Sequence, residues 1–230
     1  MISDGLLAAA RALRYWETRQ QVLAHNLANV DTPGFKGERV FARLVEDRLV
    51  EAHSATDMST GPLSPTGRPL DLALEGPGFF VVETPDGERL TRGGAMRIDE
   101  SGRLVTEAGY PLLGDNGPLV LPPGTVDIDA TGTVRVDGRE IGRLRVEAAP
   151  EGVTLLREAG GLYRPDALRI PMDPAQRKVR QGMIEASNVS AIESMVDMLT
   201  VQRSFAAVQN SVRVIDEVMA TVANDLGRVG

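Results

Sequence analysis

His25-Asn26-Leu27-Ala28-Asn29-Val30-Asp31-Thr32-Pro33-Gly34-Phe35-Lys36 is where one kind of chain ends and another begins. Upstream of it, apolar residues recur at alternating spacings of four and three: Ile2, Leu6, Ala9, Leu13, Trp16, Leu23, Leu27 and Val30, with Gln20 as the polar member of the row. This is a helical stripe, and its alternation is that of a coiled-coil seam. Pro33-Gly34, after Asp31-Thr32, predicts that the helix stops just beyond Val30. An amphipathic helix packed on its own globular domain is the plainer alternative.

The far end of the chain repeats the pattern. Val201, Phe205, Val208, Val212, Ile215, Met219, Val222 and Leu226 keep the four-three spacing with no polar interruption. Ser190 and Glu193 form a capping box, in which the hydroxyl accepts from the free N–H three residues on. The helix is therefore expected from near Ser190 to near Gly227. Ala207, Val214 and Val218 flank the seam and widen the apolar surface beyond what one partner helix covers. Gln202, Arg203, Gln209, Asn210, Arg213, Asp216 and Glu217 supply a water-facing side.

Between about Pro69 and Pro165 the period changes. Short β-branched runs are broken by Asp86-Gly87, Ser101-Gly102, Asn116-Gly117 and Asp137-Gly138, which supply the positive-φ positions of tight hairpins. Phe79–Val82, Val126–Ile128, Thr133–Val136 and Leu144–Val146 fit between them as strands. The expected class is α+β: N- and C-terminal helices pairing as a coiled-coil core, with a central antiparallel all-β domain. The expected segments are a helix over 1–34, a linker over 35–68, the β domain over 69–165, a second linker over 166–184, and a helical end over 185–230. Prolines at 62, 65, 165, 171 and 174 motivate the linkers.

Chemistry is sparse. Among 230 residues there is no cysteine, which removes disulfides and thiolate ligands. The net charge of −7 comes without a Lys/Arg stripe, so nucleic acid is not an expected partner. Aromatics make up 4%, too few to favour a sugar-stacking surface. His25 and His53 have no companion at metal-ligand spacing. Asp127-Ile128-Asp129-Ala130-Thr131-Gly132 opens like a calcium loop, but Thr131 replaces an Asp or Asn, and Gly138 stands where a bidentate Glu is needed. Alternation with Val126, Val134 and Val136 suggests a hairpin instead. Gly76-Pro77-Gly78 and Arg92-Gly93-Gly94 lack phosphate-loop spacing and read as strand corners. Asn188-Val189-Ser190 fits a glycosylation sequon but reads better as a helix start. Met1 to Ala12 do not resemble a cleaved secretory signal, and no run is apolar enough for membrane insertion.

The opening stretch, with its Asn26-Leu27-Ala28-Asn29 core followed by Gly34-Phe35-Lys36, resembles the N-terminal signature of bacterial flagellar rod and hook proteins. Gly76 to Val82 and Thr91 to Leu113 are similar to the family's central domain. Glu185-Ala186-Ser187-Asn188-Val189, Met195-Val196 and Gln202-Arg203-Ser204-Phe205 resemble its closing helix. Asp31–Phe35 and Gly182–Glu185 look closer to the proximal-rod branch than to the distal one.

The resemblance implies a structural subunit of the basal-body rod rather than an enzyme, polymerising through its terminal helices into a helical tube that carries torque from motor to hook. It implies no cofactor and no metal. The expected partners are further copies of itself, other rod and hook proteins and the flagellar type III export apparatus. The expected location is the periplasmic rod, reached without a cleaved signal. The expected polymerisation residues are Leu6, Leu13, Trp16, Leu23, Leu27, Val30, Val201, Phe205, Val208, Val212, Ile215, Met219 and Val222. A distal-rod or hook-type subunit is the near alternative. A sugar- or peptide-binding β module dimerised by helical arms is the alternative of a different class.

Overall fold

The computed structural model describes residues 2–45, 49–149, 155–165 and 169–226. The chain forms two compact units. One gathers Met1–Val30, Gly37–Asp57 and Val189–Gly230; the other gathers Asp31–Lys36 and Met58–Asn188.

The first unit holds α1 (Ile2–Ala28), a hairpin of strands Glu38–Val45 and Leu49–Thr56, and α2 (Ala191–Leu226). The Asn29 and Val30 amides donate to the Asn26 and Leu27 carbonyls, which closes α1 a residue or two before the expected point. At the start of α2 the Glu193 amide donates to Ser190 Oγ at 3.3 Å, the expected cap. The expected helix end at Gly227 and the segment 166–168 lie outside the described residues, as do the side chains of Ile2, Val222 and Leu226.

Among the described residues, the regular structure of the second unit is β apart from two single 3-10 turns. Its largest sheet has six antiparallel strands in the order Leu155–Glu158, Leu162–Pro165, Gly87–Thr91, Phe79–Thr84, Val146–Ala148, Ile170–Pro171. A three-stranded sheet follows Val126–Ile128, Thr133–Val136 and Arg139–Arg143. Its second hairpin turns on Asp137-Gly138, with φ of 48° and 79°, the conformation that an Asp-Gly pair makes accessible. The single run expected over Leu144–Val146 is divided: one strand ends at Arg143, Leu144 bridges to Gly114, and the next strand begins at Val146.

The stretches read as linkers carry paired strands. Leu63–Pro65 pairs with Met183–Glu185, and Leu72–Leu74 with Val179–Gln181. The prolines misled because they sit where no ladder N–H is needed: Pro65, Pro165 and Pro171 end their strands, and Pro174 opens a 3-10 turn.

The core follows from strand periodicity. Phe79 and Val81 face one buried cluster with Leu90, Leu113, Leu155 and Tyr163, while Phe80 and Val82 face the other with Leu72, Leu104, Leu112 and Leu144. A strand covered on both sides has no place for a polar residue, which is why its sequence is an unbroken apolar run.

Candidate functional site

In the helical unit the seam is graded rather than sealed. Leu23 and Val201 are buried, whereas Leu6, Leu13, Trp16, Leu27, Val30, Phe205, Val208, Val212 and Ile215 are half-buried and Met219 is exposed. Arg19, late in α1, lies 3.7 Å from Asp197, early in α2, so these two helix ends lie side by side. A second apolar row on α2, Ile192, Met195, Val196, Leu199, Val214 and Val218, faces water; Ile192 is 77% and Val214 57% exposed. Sequence reasoning found only Val214 and Val218 of that row. Its spacing of three and four from Ile192 to Leu199 was the available signal, masked by the stronger seam.

The Asn-Leu-Ala-Asn segment terminates α1 and starts the hairpin. Asn26 is buried, its Nδ2 donates to the Glu38 carbonyl at 2.8 Å, and its Oδ1 accepts from the Glu38 amide at 2.9 Å. One side-chain amide thus stands in for a neighbouring strand. Asn29 Nδ2 donates to the His25 carbonyl at 2.8 Å, satisfying one of the acceptors a helix end leaves open. Leu27 is half-buried and Ala28 exposed.

The β unit contains a buried polar cluster centred on Glu185. The Glu185 carboxylate is fully buried; its Oε1 accepts from Lys36 Nζ at 2.5 Å and from the Gly61 amide at 2.8 Å, and its Oε2 accepts from Arg92 at 3.1 Å. Lys36 also donates to the Ser59 carbonyl at 2.6 Å, and Arg92 to the carbonyls of Leu74 at 3.1 Å and Gly76 at 2.5 Å. Two cations and one anion, all nearly water-free, are held because the carbonyls of Ser59, Leu74 and Gly76 meet donors that the carboxylate leaves over; Arg92 Nε is buried without a partner. Burial pushes the Arg92 guanidinium below its ordinary value, while Glu185 pulls the other way. Beside this node the Arg157 guanidinium lies 4.0 Å from the Phe35 ring centroid and donates to the Lys36 carbonyl.

Backbone geometry fixes the same segments. The Gly34 amide donates to the Glu185 carbonyl at 2.7 Å, and the Asn188 amide to the Phe35 carbonyl at 3.3 Å. Gly34 has φ of +70°, and a Cβ there would stand 2.5 Å from the Arg92 carbonyl carbon, so only glycine fits. Asn188 Nδ2 donates to the carbonyl and hydroxyl oxygens of Ser59, and Ser187 is buried beside it in sequence. Val189 is half-buried in the helical unit.

These contacts have a topological meaning. The chain passes between the units after Val30, Lys36, Asp57 and Asn188. Lys36, Ser59 and Asn188 are the β-unit feet of the last three crossings, and they are hydrogen-bonded into one cluster. Sequence reasoning singled out Gly34, Phe35, Ser187 and Asn188 as motif residues, but it did not join them to Arg92 or Glu185, because pairing across 149 residues leaves no local trace.

No arrangement suited to catalysis emerges from the residues considered for it. His25 is exposed on α1, and His53 stacks on Phe41 in the hairpin. The Asp129 carboxylate is taken up by its turn, accepting from Thr131 and Thr133 amides and pairing with Arg135 at 3.1 Å. Among the described residues, no three acidic or histidine side chains gather as metal ligands, and no helix is long and apolar enough to cross a membrane.

Three family models match the chain: the flagella basal body rod protein model over residues 6–36, the flagellar hook protein FlgE/F/G D1 domain over 73–136, and the flagellar basal body rod FlgEFG protein C-terminal model over 180–226. Lys36, Arg92 and Glu185 fall one in each. The flagellar basal-body rod protein FlgF of Salmonella typhimurium is 34% identical over 225 residues, covering 86% of this chain and 88% of its own. FlgF of Caulobacter vibrioides is 29% identical over 224 residues, covering 90% and 91%. The rod protein FlgG of Bacillus subtilis is 29% identical over 258 residues, covering 95% and 97%.

Proposed function

The chain belongs to the flagellar basal-body rod family, and from that premise we propose that it builds the rod through two apolar faces of its helical unit. It is a structural subunit, not an enzyme, and it assembles with other rod and hook proteins. In the proposal α1 and α2 pair along the Leu23 and Val201 seam as the coiled-coil core of one subunit. The row from Ile192 to Val218 then docks on neighbouring subunits, in contacts whose rotation does not close, giving a helical tube.

The observation that carries this reading is that water-facing row. Val and Leu side chains gain roughly 1.5–3 kcal/mol each on full burial, a driving force left unused while the row stays exposed. The clamp of Lys36, Ser59, Asn188 and Glu185 suits a torque-bearing part, because several chain crossings share the load at one bonded root. A place in the proximal rod is proposed from Asp31–Phe35 and Gly182–Glu185. Delivery by the flagellar export apparatus and a periplasmic location are proposed from the family alone.

Val196→Asp and Val214→Asp test the docking face. Both variants should melt like the parent as purified monomers, followed by helical circular dichroism, yet be absent from isolated basal bodies and leave cells non-swimming. Normal incorporation of either would sink the proposal. Val212→Asp and Ile215→Asp, on the seam, should instead lower the helical melt itself.

A further inference from the structure

Glu185 comes late in the chain, yet the β unit is organised around it. Its carboxylate is the anion for Lys36 and Arg92, which precede it by 149 and 93 residues, and all three are buried. Unpaired buried charges are among the costliest arrangements a fold can hold, so the native places of Lys36 and Arg92 are strongly disfavoured while Glu185 is absent. The strands beside it make the same demand. Val179–Gln181 is the partner strand of Leu72–Leu74, whose three residues are fully buried, and Val179 packs in the main cluster with Leu72, Leu74 and Leu144. Met183–Glu185 is the partner of Leu63–Pro65, and the Gly61 amide is buried against Glu185 itself.

We propose that Glu185 is a closing latch: the β unit stays unsealed until residues 179–188 dock, so that its core forms only when little but α2 remains to follow. The hairpins between Phe79 and Pro165 have short loops and form locally, but until then the main cluster they cover lacks Val179, and the strands Leu63–Pro65 and Leu72–Leu74 lack their partners. This goes beyond the assembly reading and does not depend on it.

The test is pulsed hydrogen exchange during refolding of the full-length parent chain from urea, with mass-spectrometric readout by segment. The latch requires that 72–74, 79–84 and 91–94 gain protection in the same kinetic phase as 179–188. Protection of 79–84 and 72–74 in an earlier phase than 179–188 overturns it. Glu185→Gln in the full-length chain should slow that common phase at least tenfold. Refolding of Glu185→Gln at the parent rate, with only its unfolding accelerated, would mean that the carboxylate forms its contacts after closure and is no latch. If Glu185→Gln fails to fold, the parent-chain measurement still decides.

Discussion

In the helical unit Leu23 and Val201 are the buried apolar side chains among the described residues, and a row from Ile192 to Val218 lies in water. In the β unit Leu72, Phe80, Val81, Leu104 and Leu144 are sealed completely, and even Lys36, Arg92 and Glu185 are inside. The first unit has apolar surface without cover; the second has covered even its charges. A subunit made for assembly needs the former, because exposed apolar area is what a neighbour can use. The latter gives a unit whose register is fixed internally, since a buried ionic node tolerates one arrangement of its partners.

The largest expected effect tests whether the two units are as separate as this contrast implies. Glu185→Gln leaves two cations buried without their anion and should lower the stability of the β unit by about 3–5 kcal/mol. Tyrosine near-ultraviolet dichroism during urea unfolding would show that loss, with the transition followed by fluorescence of the single tryptophan, Trp16 on α1, left in place. A common shift of both signals would show one cooperative body and break the comparison. Lys36→Met should cost less, about 1–3 kcal/mol, because Arg92 still pairs with Glu185 and what is lost is mainly hydrogen bonding to Ser59 and Glu185.

A smaller effect sharpens the helical side. Ser190→Ala removes the side-chain acceptor for the Glu193 amide and should cost about 1 kcal/mol. Faster amide exchange confined to the first turn of α2 would confirm it, and unchanged exchange would remove the cap from the account.

The smallest concerns acid. Burial pushes the Glu88 carboxyl upward, but Arg145, bidentate at 2.9 and 3.1 Å, and Arg169 at 2.6 Å outweigh it and hold the group below the ordinary range. A depressed carboxyl contributes stability that is complete above its unfolded value, about 4.3, and is lost as pH falls through the lower folded value. Glu88→Gln should therefore flatten the acid limb of the β unit's stability while leaving the Trp16 transition unmoved. An unaltered limb would show that other carboxylates carry it.

Legibility in the sequence followed the range of each interaction. The helices, the Ser190 cap and the Asp86-Gly87 and Asp137-Gly138 hairpins are encoded within a few residues, and the structure has them where periodicity and turn chemistry put them. The pairing of Leu63–Pro65 with Met183–Glu185 was hidden, since short strands flanked by proline look like linkers until a partner appears. The node was hidden for the same reason: nothing near Lys36 or Arg92 in sequence announces that their shared anion is Glu185.

The sequence by itself determined two long helices, a β-rich middle built of hairpins, a chain poor in catalytic groups, and motifs specific enough to point to a family. Those features rest on spacing and local backbone preference, which are properties of neighbouring residues. The tertiary structure alone decided that the row from Ile192 to Val218 is left open, that Asn26 substitutes for a strand, and that three distant motifs meet at one buried carboxylate. Each of these depends on which surfaces are already covered and which charges are already paired, and that is settled only when residues far apart in the chain come together.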